Sequence, residues 1–104
     1  MDLKLQNRVA LIAGGSLGLG RAAALQLARE GARVAICALD DPNLSEAAAV
    51  IQEATGREVF AIPADLTDGE QARRFVRKSI EHYGNVDILV NNAGGPPSVK
   101  FGEI

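Results

Sequence analysis

The stretch that most constrains the fold is residues 9–20, where an apolar run leads directly into a cluster of glycines. Five apolar residues precede Gly14 and Gly15, and a stretch rich in alanine and leucine follows Gly20. This pattern predicts a buried strand, a tight turn and a helix. Glycine lets backbone turn and approach a ligand, and a helix N-terminus offers unpaired N–H groups to an anion. The turn is therefore a candidate site for the pyrophosphate of a dinucleotide, although glycine-rich turns also occur for steric reasons alone.

The rest of the chain alternates predicted strands with predicted helices. Strands are predicted at residues 8–13, 33–38, 58–62 and 86–90, and the first helix at 19–30. Short links between these elements imply a parallel sheet with helices on both faces. Right-handed crossovers then favour the strand order 3-2-1-4. We therefore expect residues 1–104 to form one α/β unit, the first four strands of a Rossmann-like doubly wound parallel sheet.

Capping signals predict where the second and third helices begin. Asn43 with Glu46, and Thr67 with Glu70, each fit the capping-box spacing. Gly56 and Gly84 are predicted to end these helices. The apolar faces are predicted to be Ala47, Val50, Ile51 and Ala54 in the second helix, and Ala72, Phe75, Val76, Ile80 and Tyr83 in the third.

Composition excludes several function classes. The formal net charge of −2 gives no reason to expect nucleic acid or an anionic membrane as a partner. No apolar run is long enough to span a bilayer, no secretory signal is predicted, and no metal site is predicted. The single cysteine, Cys37, lies in an apolar strand and is predicted to be a core residue. These features favour a cytoplasmic location.

Polar residues follow the predicted third and fourth strands. Asp65 comes shortly after the third strand, and Asn91, Asn92, Ala93 and Gly94 follow the fourth. Carboxyl ends of parallel strands lie at one edge of a sheet, which is where ligands bind in doubly wound folds. The glycine turn and these two segments are therefore expected to meet at that edge.

With these motifs the chain resembles the short-chain dehydrogenase/reductase family along essentially its whole length. The spacing Gly14-x-x-x-Gly18-x-Gly20 matches that family, although Ala13 stands where threonine is usual. A second register, Gly18-x-Gly20-x-x-Ala23, also fits a looser dinucleotide pattern but begins four residues after the strand. The segments at Asp65 and Asn91 match two further family motifs in the same order.

The resemblance implies roles for individual residues. Asp65 would bond the adenine amino group and Leu66 would flank the ring, whereas the alternative for Asp65 is a simple turn or cap residue. Asn91 would hold its turn and contact the adenosine ribose, and the backbone after it would lie close to the cofactor. The implied cofactor-binding residues are Gly14, Ser16, Leu17, Gly18, Leu19, Gly20, Asp65, Leu66, Asn91, Ala93 and Gly94.

The choice between NAD and NADP is left open by the residues, with a lean to NAD. An acid after the second strand favours NAD, and an arginine there favours NADP. The family positions for these residues fall on Ala38 and Leu39, and Leu17 occupies a turn position that is often basic in NADP-preferring members. Asp40 and Asp41 come one or two residues late. The absence of a cationic side chain at Leu39 and Leu17 therefore favours NAD mildly.

No catalytic residue is predicted in this sequence. The family uses a serine and a Tyr-x-x-x-Lys pair, whereas Tyr83 is followed four residues later by Asp87, and Ser98 comes too early. Tyr83 is predicted to be a packing residue, and His82 a surface residue at a helix end.

The resemblance implies that the chain is the N-terminal, cofactor-binding part of a longer oxidoreductase. That enzyme would transfer hydride between NAD(P)H and a small carbonyl or alcohol, and would form a homodimer or homotetramer. The alternative is a non-catalytic nucleotide-binding or interaction module. Because the strand predicted at 86–90 is apolar on both faces, a chain of 104 residues is expected to be poorly soluble or associated and to lack turnover.

Overall fold

In the computed structural model, the structure of the chain is described for residues 5–16, 18–39 and 42–91. Four strands pair in parallel in the order β3-β2-β1-β4, which confirms the predicted order. In chain order the elements are β1 Val9–Ala13, α1 Gly18–Arg29, β2 Arg33–Ala38, α2 Pro42–Thr55, β3 Val59–Pro63, α3 Gly69–Tyr83 and β4 Ile88–Asn91.

The helices cover both faces of the sheet because the strands alternate their side chains between two cores. Ala10 and Ile12 of β1 join a buried cluster with residues of α1 and α2. Val9 and Leu11 point the other way and join a cluster with Phe75 of α3. β1 and β2 therefore read as near-continuous apolar runs, as expected for strands covered on both faces.

Cys37 lies in the second of these cores and is fully buried, as predicted. Burial raises the pKa of its thiol to about 12, because desolvation disfavours the thiolate, and Arg74 lowers it only in part. A thiol held protonated in this way is inert at neutral pH.

Both predicted helix caps are wrong by a residue or more. Asn43 is the second residue of α2, because the helix begins at Pro42, a residue whose missing N–H costs nothing at the first helical position. Asp68 caps α3, and its side chain accepts from the backbone N–H groups of Glu70 and Gln71. Thr67 is not the cap, because its N–H and hydroxyl both donate to Oδ1 of Asp65.

Two predicted helix faces are also partly wrong. Val50 and Ile80 are each 42% exposed, and Ala54 is exposed, whereas Leu44 and Ser79 are buried. The inward line of α2 runs through Leu44, Ala47 and Ile51, one helical turn apart. Ser79 can be buried because its hydroxyl donates to the Phe75 carbonyl at 2.8 Å, which satisfies it.

The boundaries of β3 and β4 lie one or two residues later than the sequence predicts, whereas β1 and β2 end where predicted. Pro63 is the last residue of β3 and pairs with Ala38, although proline was expected to follow the strand. In the described sheet β3 is an edge strand, where a missing N–H breaks no ladder bond. β4 begins at Ile88 and includes Asn91, and its apolar residues are half-buried.

The two ends of the sheet are named for the strand termini that lie there. The carboxyl edge carries the glycine turn after β1, the segment after β2 and the loop after β3. The amino edge carries the loops that enter the strands. Within the described ranges, no helix is both long and apolar enough to cross a bilayer.

Candidate functional site

The glycine turn is tied to the neighbouring strand by its backbone. Gly14 follows β1 with a positive φ of 88°, a conformation that favours glycine. The carbonyl of Cys37 accepts hydrogen bonds from the N–H groups of Gly14 at 2.7 Å and Gly15 at 3.2 Å. A Cβ atom on Gly15 would lie 2.9 Å from the side chain of Ile36. Gly15 is therefore required by packing, so the steric explanation of a glycine-rich turn holds at this position.

The start of α1 is different, because no described residue crowds Gly18. Gly18 is the first residue of the helix and has a φ of 59°, and a Cβ atom there would meet no atom of the described residues within 4 Å. Leu19 is 79% exposed, whereas Ser16 and Gly20 are buried. Because backbone N–H groups at a helix N-terminus favour an anion, the start of α1 is a candidate anion site. Leu17 lies outside the described residues.

Asp65 lies in the loop after β3, where local hydrogen bonds hold it. Its Oδ1 accepts from the Thr67 N–H at 2.9 Å and from the Thr67 hydroxyl at 2.6 Å. The bond from the Thr67 hydroxyl, and next the bond from the Thr67 N–H, hold the pKa of the Asp65 carboxyl below its usual value. The group is therefore ionised at neutral pH. Among the described residues, no group donates to its Oδ2.

This geometry changes the case for Asp65. The sequence predicted Thr67 as the cap of α3, which would have left Asp65 without a capping role, and Thr67 does not cap. Asp65 instead forms a turn with Thr67 through one carboxylate oxygen, as the turn alternative requires. The other oxygen, Oδ2, has no donor among the described residues, so the turn bonds do not use the whole carboxylate.

A cavity of about 200 Å³ opens beside Asp65 at the carboxyl edge. Its lining residues come from the ends of β2 and β3 and from the first turn of α3, namely Leu39, Pro63, Ala64, Asp65 and Gln71. Leu39 is 60% exposed although it is a large apolar residue. Apolar walls with one carboxylate suit a flat ring that carries a hydrogen-bond donor.

Leu66 does not line this cavity. It is half-buried and packs against the core cluster that contains Phe75. The prediction that Leu66 flanks the adenine ring therefore gains no support from the position of its side chain.

Asn91 lies at the same edge as the glycine turn. It is the last residue of β4 and is paired in register with Ala13, the residue before Gly14. Its side chain is exposed. Ala93 and Gly94, together with Asp40, Asp41 and Ser98, lie outside the described residues.

Sequence reasoning missed Gln71 and the apolar walls of the cavity. Gln71 stands three residues after the true cap, Asp68, and this spacing is itself a capping-box signal. Choosing Thr67 as the cap concealed it. Leu39 and Pro63 carry no motif, so only the folded chain identifies them as a surface.

The two ring residues at the end of α3 are structural, as predicted. The Tyr83 hydroxyl donates to the Val34 carbonyl at 2.8 Å, and burial raises the pKa of Tyr83 to about 12. His82 stacks on Phe60 with ring centroids 4.1 Å apart, and its Nε2 lies 3.1 Å from Glu58. In the part of the chain that the structure describes, no group of three or more potential metal ligands comes together.

The comparisons with known proteins point to one family. The family described as short chain dehydrogenase matches residues 8–104. The 3-oxoacyl-(acyl-carrier-protein) reductase FabG of Staphylococcus epidermidis is 41% identical over 88 residues, which is 85% of this chain and 36% of that protein. The L-rhamnose 1-dehydrogenase (NAD(P)(+)) of a Sphingomonas species is 38% identical over 97 residues, 93% of this chain and 38% of that protein.

A solved structure agrees with these matches. The L-sorbose reductase of Gluconobacter frateurii, complexed with NADPH and L-sorbose, superposes with a TM-score of 0.87 at 35% identity. The superposition covers 100% of this chain and 40% of that one. The chain belongs to the short-chain dehydrogenase/reductase family. It spans between 36% and 40% of the length of these relatives.

Proposed function

We propose that this chain is the cofactor-binding portion of an NAD(P)-dependent oxidoreductase. In this proposal residues 1–104 bind an adenine dinucleotide at the carboxyl edge, and the enzyme transfers hydride between the nicotinamide and a carbonyl or alcohol substrate. Family membership supports the reaction class. The relatives act on substrates as different as acyl-carrier-protein thioesters and sugars by their names, so the substrate is assigned only by class.

The observation that carries the proposal is that the helix start at Gly18 and the cavity at Asp65 both lie at the carboxyl edge. The first offers backbone N–H groups to a pyrophosphate. The second offers apolar walls and an ionised carboxylate to a base with an exocyclic amine. In the proposal Gly14, Ser16, Leu17, Gly18, Leu19 and Gly20 surround the pyrophosphate side, Asp65 and Leu66 the base, and Asn91, Ala93 and Gly94 the ribose side.

The same edge supports NAD over NADP. A 2′-phosphate needs a cation near the end of β2, and Leu39 occupies that place, 60% exposed and on the wall of the cavity. The nearest arginine on α1, Arg21, already pairs with Glu46 at 3.1 Å. We therefore propose that both cofactors are accommodated and that NAD binds more tightly.

Calorimetric titration of the chain with NAD and NADP tests the proposal. We expect saturable binding of both, with the smaller dissociation constant for NAD. Absence of saturable binding of either dinucleotide would overturn the proposal. Binding without hydride transfer in a protein that carries a Tyr-x-x-x-Lys pair would favour the alternative, a non-catalytic nucleotide-binding module.

The wider setting follows the family. We propose a cytoplasmic enzyme that assembles as a homodimer or homotetramer, with no nucleic acid or membrane as a partner. The acidic balance of the chain, with a formal net charge of −2, supports the last two points. Size-exclusion chromatography with light scattering measures the assembly.

A further inference from the structure

A residue of α3, Gln71, holds the backbone of Asp65, the aspartate of the candidate base-binding cavity. Gln71 lies in the first turn of α3, and its side-chain oxygen accepts from the backbone N–H of Asp65 at 2.7 Å. The side-chain nitrogen of Gln71 donates to Oδ2 of Asp68 at 3.3 Å. Only one orientation of the amide satisfies both partners, because the N–H needs an acceptor and the carboxylate needs a donor. Gln71 therefore links Asp65 to the cap of α3.

Each polar atom of Asp65 except Oδ2 has a hydrogen-bond partner within the chain. Its N–H donates to Gln71, its carbonyl accepts from the Asp68 N–H at 3.1 Å, and its Oδ1 accepts from Thr67. Oδ2 is the atom left for a donor from outside, within the residues that the structure describes. Gln71 lines the cavity into which such a donor would enter.

We propose that Gln71 is a positioning residue of the adenine subsite. By holding the backbone of Asp65 it fixes the direction of the carboxylate, so that Oδ2 meets the amino group of the base. The inference rests on the proposed function, in which Asp65 accepts a hydrogen bond from adenine. Gln71 acts through Asp65 and needs no contact with the base.

The chain contains a matched control for this role. Gln52, near the end of α2, accepts from the backbone N–H of Val59 at 2.9 Å. In both bonds a helical glutamine oxygen accepts from a backbone N–H at or near one end of β3, but the Gln52 bond lies at the amino edge of the sheet. Loss of either bond leaves one backbone N–H without its partner, and only Gln71 adjoins the cavity.

The experiment measures discrimination between two cofactors that differ at one group. NAD carries the adenine amino group, and nicotinamide hypoxanthine dinucleotide carries an oxygen in its place. For wild type, we expect NAD to bind about tenfold more tightly, the scale of one hydrogen bond to a charged group. In Gln71→Met the ratio of the two dissociation constants falls towards one, and in Gln52→Met it stays at the wild-type value.

A second variant tests whether the length of the Gln71 side chain matters as well as its polarity. Gln71→Asn keeps the amide but is one methylene too short to hold the Asp65 N–H, and we expect the same loss of discrimination. Thermal unfolding of all variants is measured alongside, and Gln71→Met and Gln52→Met are expected to lower Tm by similar amounts.

The outcomes separate the inference from the proposed function. A wild-type ratio near one means that Asp65 does not read the amino group, and both the adenine assignment and the role of Gln71 fall. A wild-type preference that survives in Gln71→Met and Gln71→Asn leaves the adenine assignment standing and overturns the role of Gln71. Loss of discrimination in Gln52→Met as well would show a general loss of stability and would also overturn that role.

Discussion

The two edges of the sheet use their polar groups differently. At the amino edge, Arg57 donates to the Gly31 carbonyl at 2.6 Å and to Oδ1 of Asn7 at 3.2 Å. Arg33 donates to the Asn7 carbonyl at 3.0 Å and lies over the ring of Tyr83. These bonds join the loops that enter the strands, so the polar side chains there serve the fold.

Two aspartates show the contrast most clearly. At the amino edge both carboxylate oxygens of Asp87 are engaged, Oδ2 by the Val9 N–H and Asn85, and Oδ1 by Arg8. At the carboxyl edge Asp65 lines a cavity, and donors among the described residues reach only one of its oxygens, Oδ1. A carboxylate whose two oxygens both accept hydrogen bonds within the protein indicates a structural role. A carboxylate that is held through one oxygen and keeps the other for a ligand indicates a binding role.

The largest expected effect comes from a pair of glycines. Gly18 at the carboxyl edge and Gly56 at the amino edge both have positive φ, and a Cβ atom at either would meet no atom of the residues that the structure describes within 4 Å. Gly18→Leu and Gly56→Leu therefore carry similar backbone strain, about 1–2 kcal/mol. Only the first places a side chain in the proposed pyrophosphate space.

We expect Gly18→Leu to weaken NAD binding by about a hundredfold or more, and Gly56→Leu to leave it near the wild-type value. Calorimetry measures the binding and thermal unfolding measures the shared strain. Equal affinities in the two variants would remove the distinction between the edges at this position.

The two aspartates give the next effect. We expect Asp65→Asn to weaken NAD binding by about tenfold, because an amide replaces the charged acceptor. Asp87→Asn is expected to leave binding unchanged and to lower the free energy of unfolding, since it loses a charged acceptor for Val9. If Asp87→Asn weakened NAD binding and Asp65→Asn bound NAD like wild type, the assignment of the two edges would be reversed.

Acid titration sharpens the same comparison. The hydrogen bond from the Val9 N–H, helped by Asn85 and Arg8, holds the pKa of Asp87 below the ordinary value of 3.8. Its contribution to stability is therefore present above about pH 4 and is lost as the pH falls through the lowered pKa. Urea unfolding between pH 2 and pH 6 is expected to show a smaller loss of stability on acidification for Asp87→Asn than for wild type.

The smallest expected effect concerns cofactor choice. An arginine at Leu39 would reach a 2′-phosphate from the wall of the cavity, whereas an arginine at Val50, a half-exposed position of α2, would not. Leu39→Arg is expected to shift the NADP-to-NAD affinity ratio towards NADP by about fivefold, and Val50→Arg to leave it unchanged. An unchanged ratio in Leu39→Arg would show that this position does not face the ribose.

Some of this arrangement could be predicted from the sequence because it depends on local patterns. The apolar runs of β1 and β2 and the glycines after Ala13 fix strands, turn and strand order. The cap of α3 could not be predicted, because Thr67 and Asp68 are both good caps and the choice depends on Asp65 bonding Thr67. The cavity walls could not be predicted either, because Leu39 and Pro63 meet only when β2 and β3 pair.

The central claim is that the dinucleotide binds at the carboxyl edge, and backbone amide chemical shifts measured during titration with NAD test it most directly. The claim predicts that the amides of Gly14, Gly18 and Asp65 shift with a common dissociation constant. The amides of Asn7, Gly31 and Arg57 at the amino edge stay in place. Shifts confined to the amino-edge amides, or spread equally over both edges, would contradict the claim.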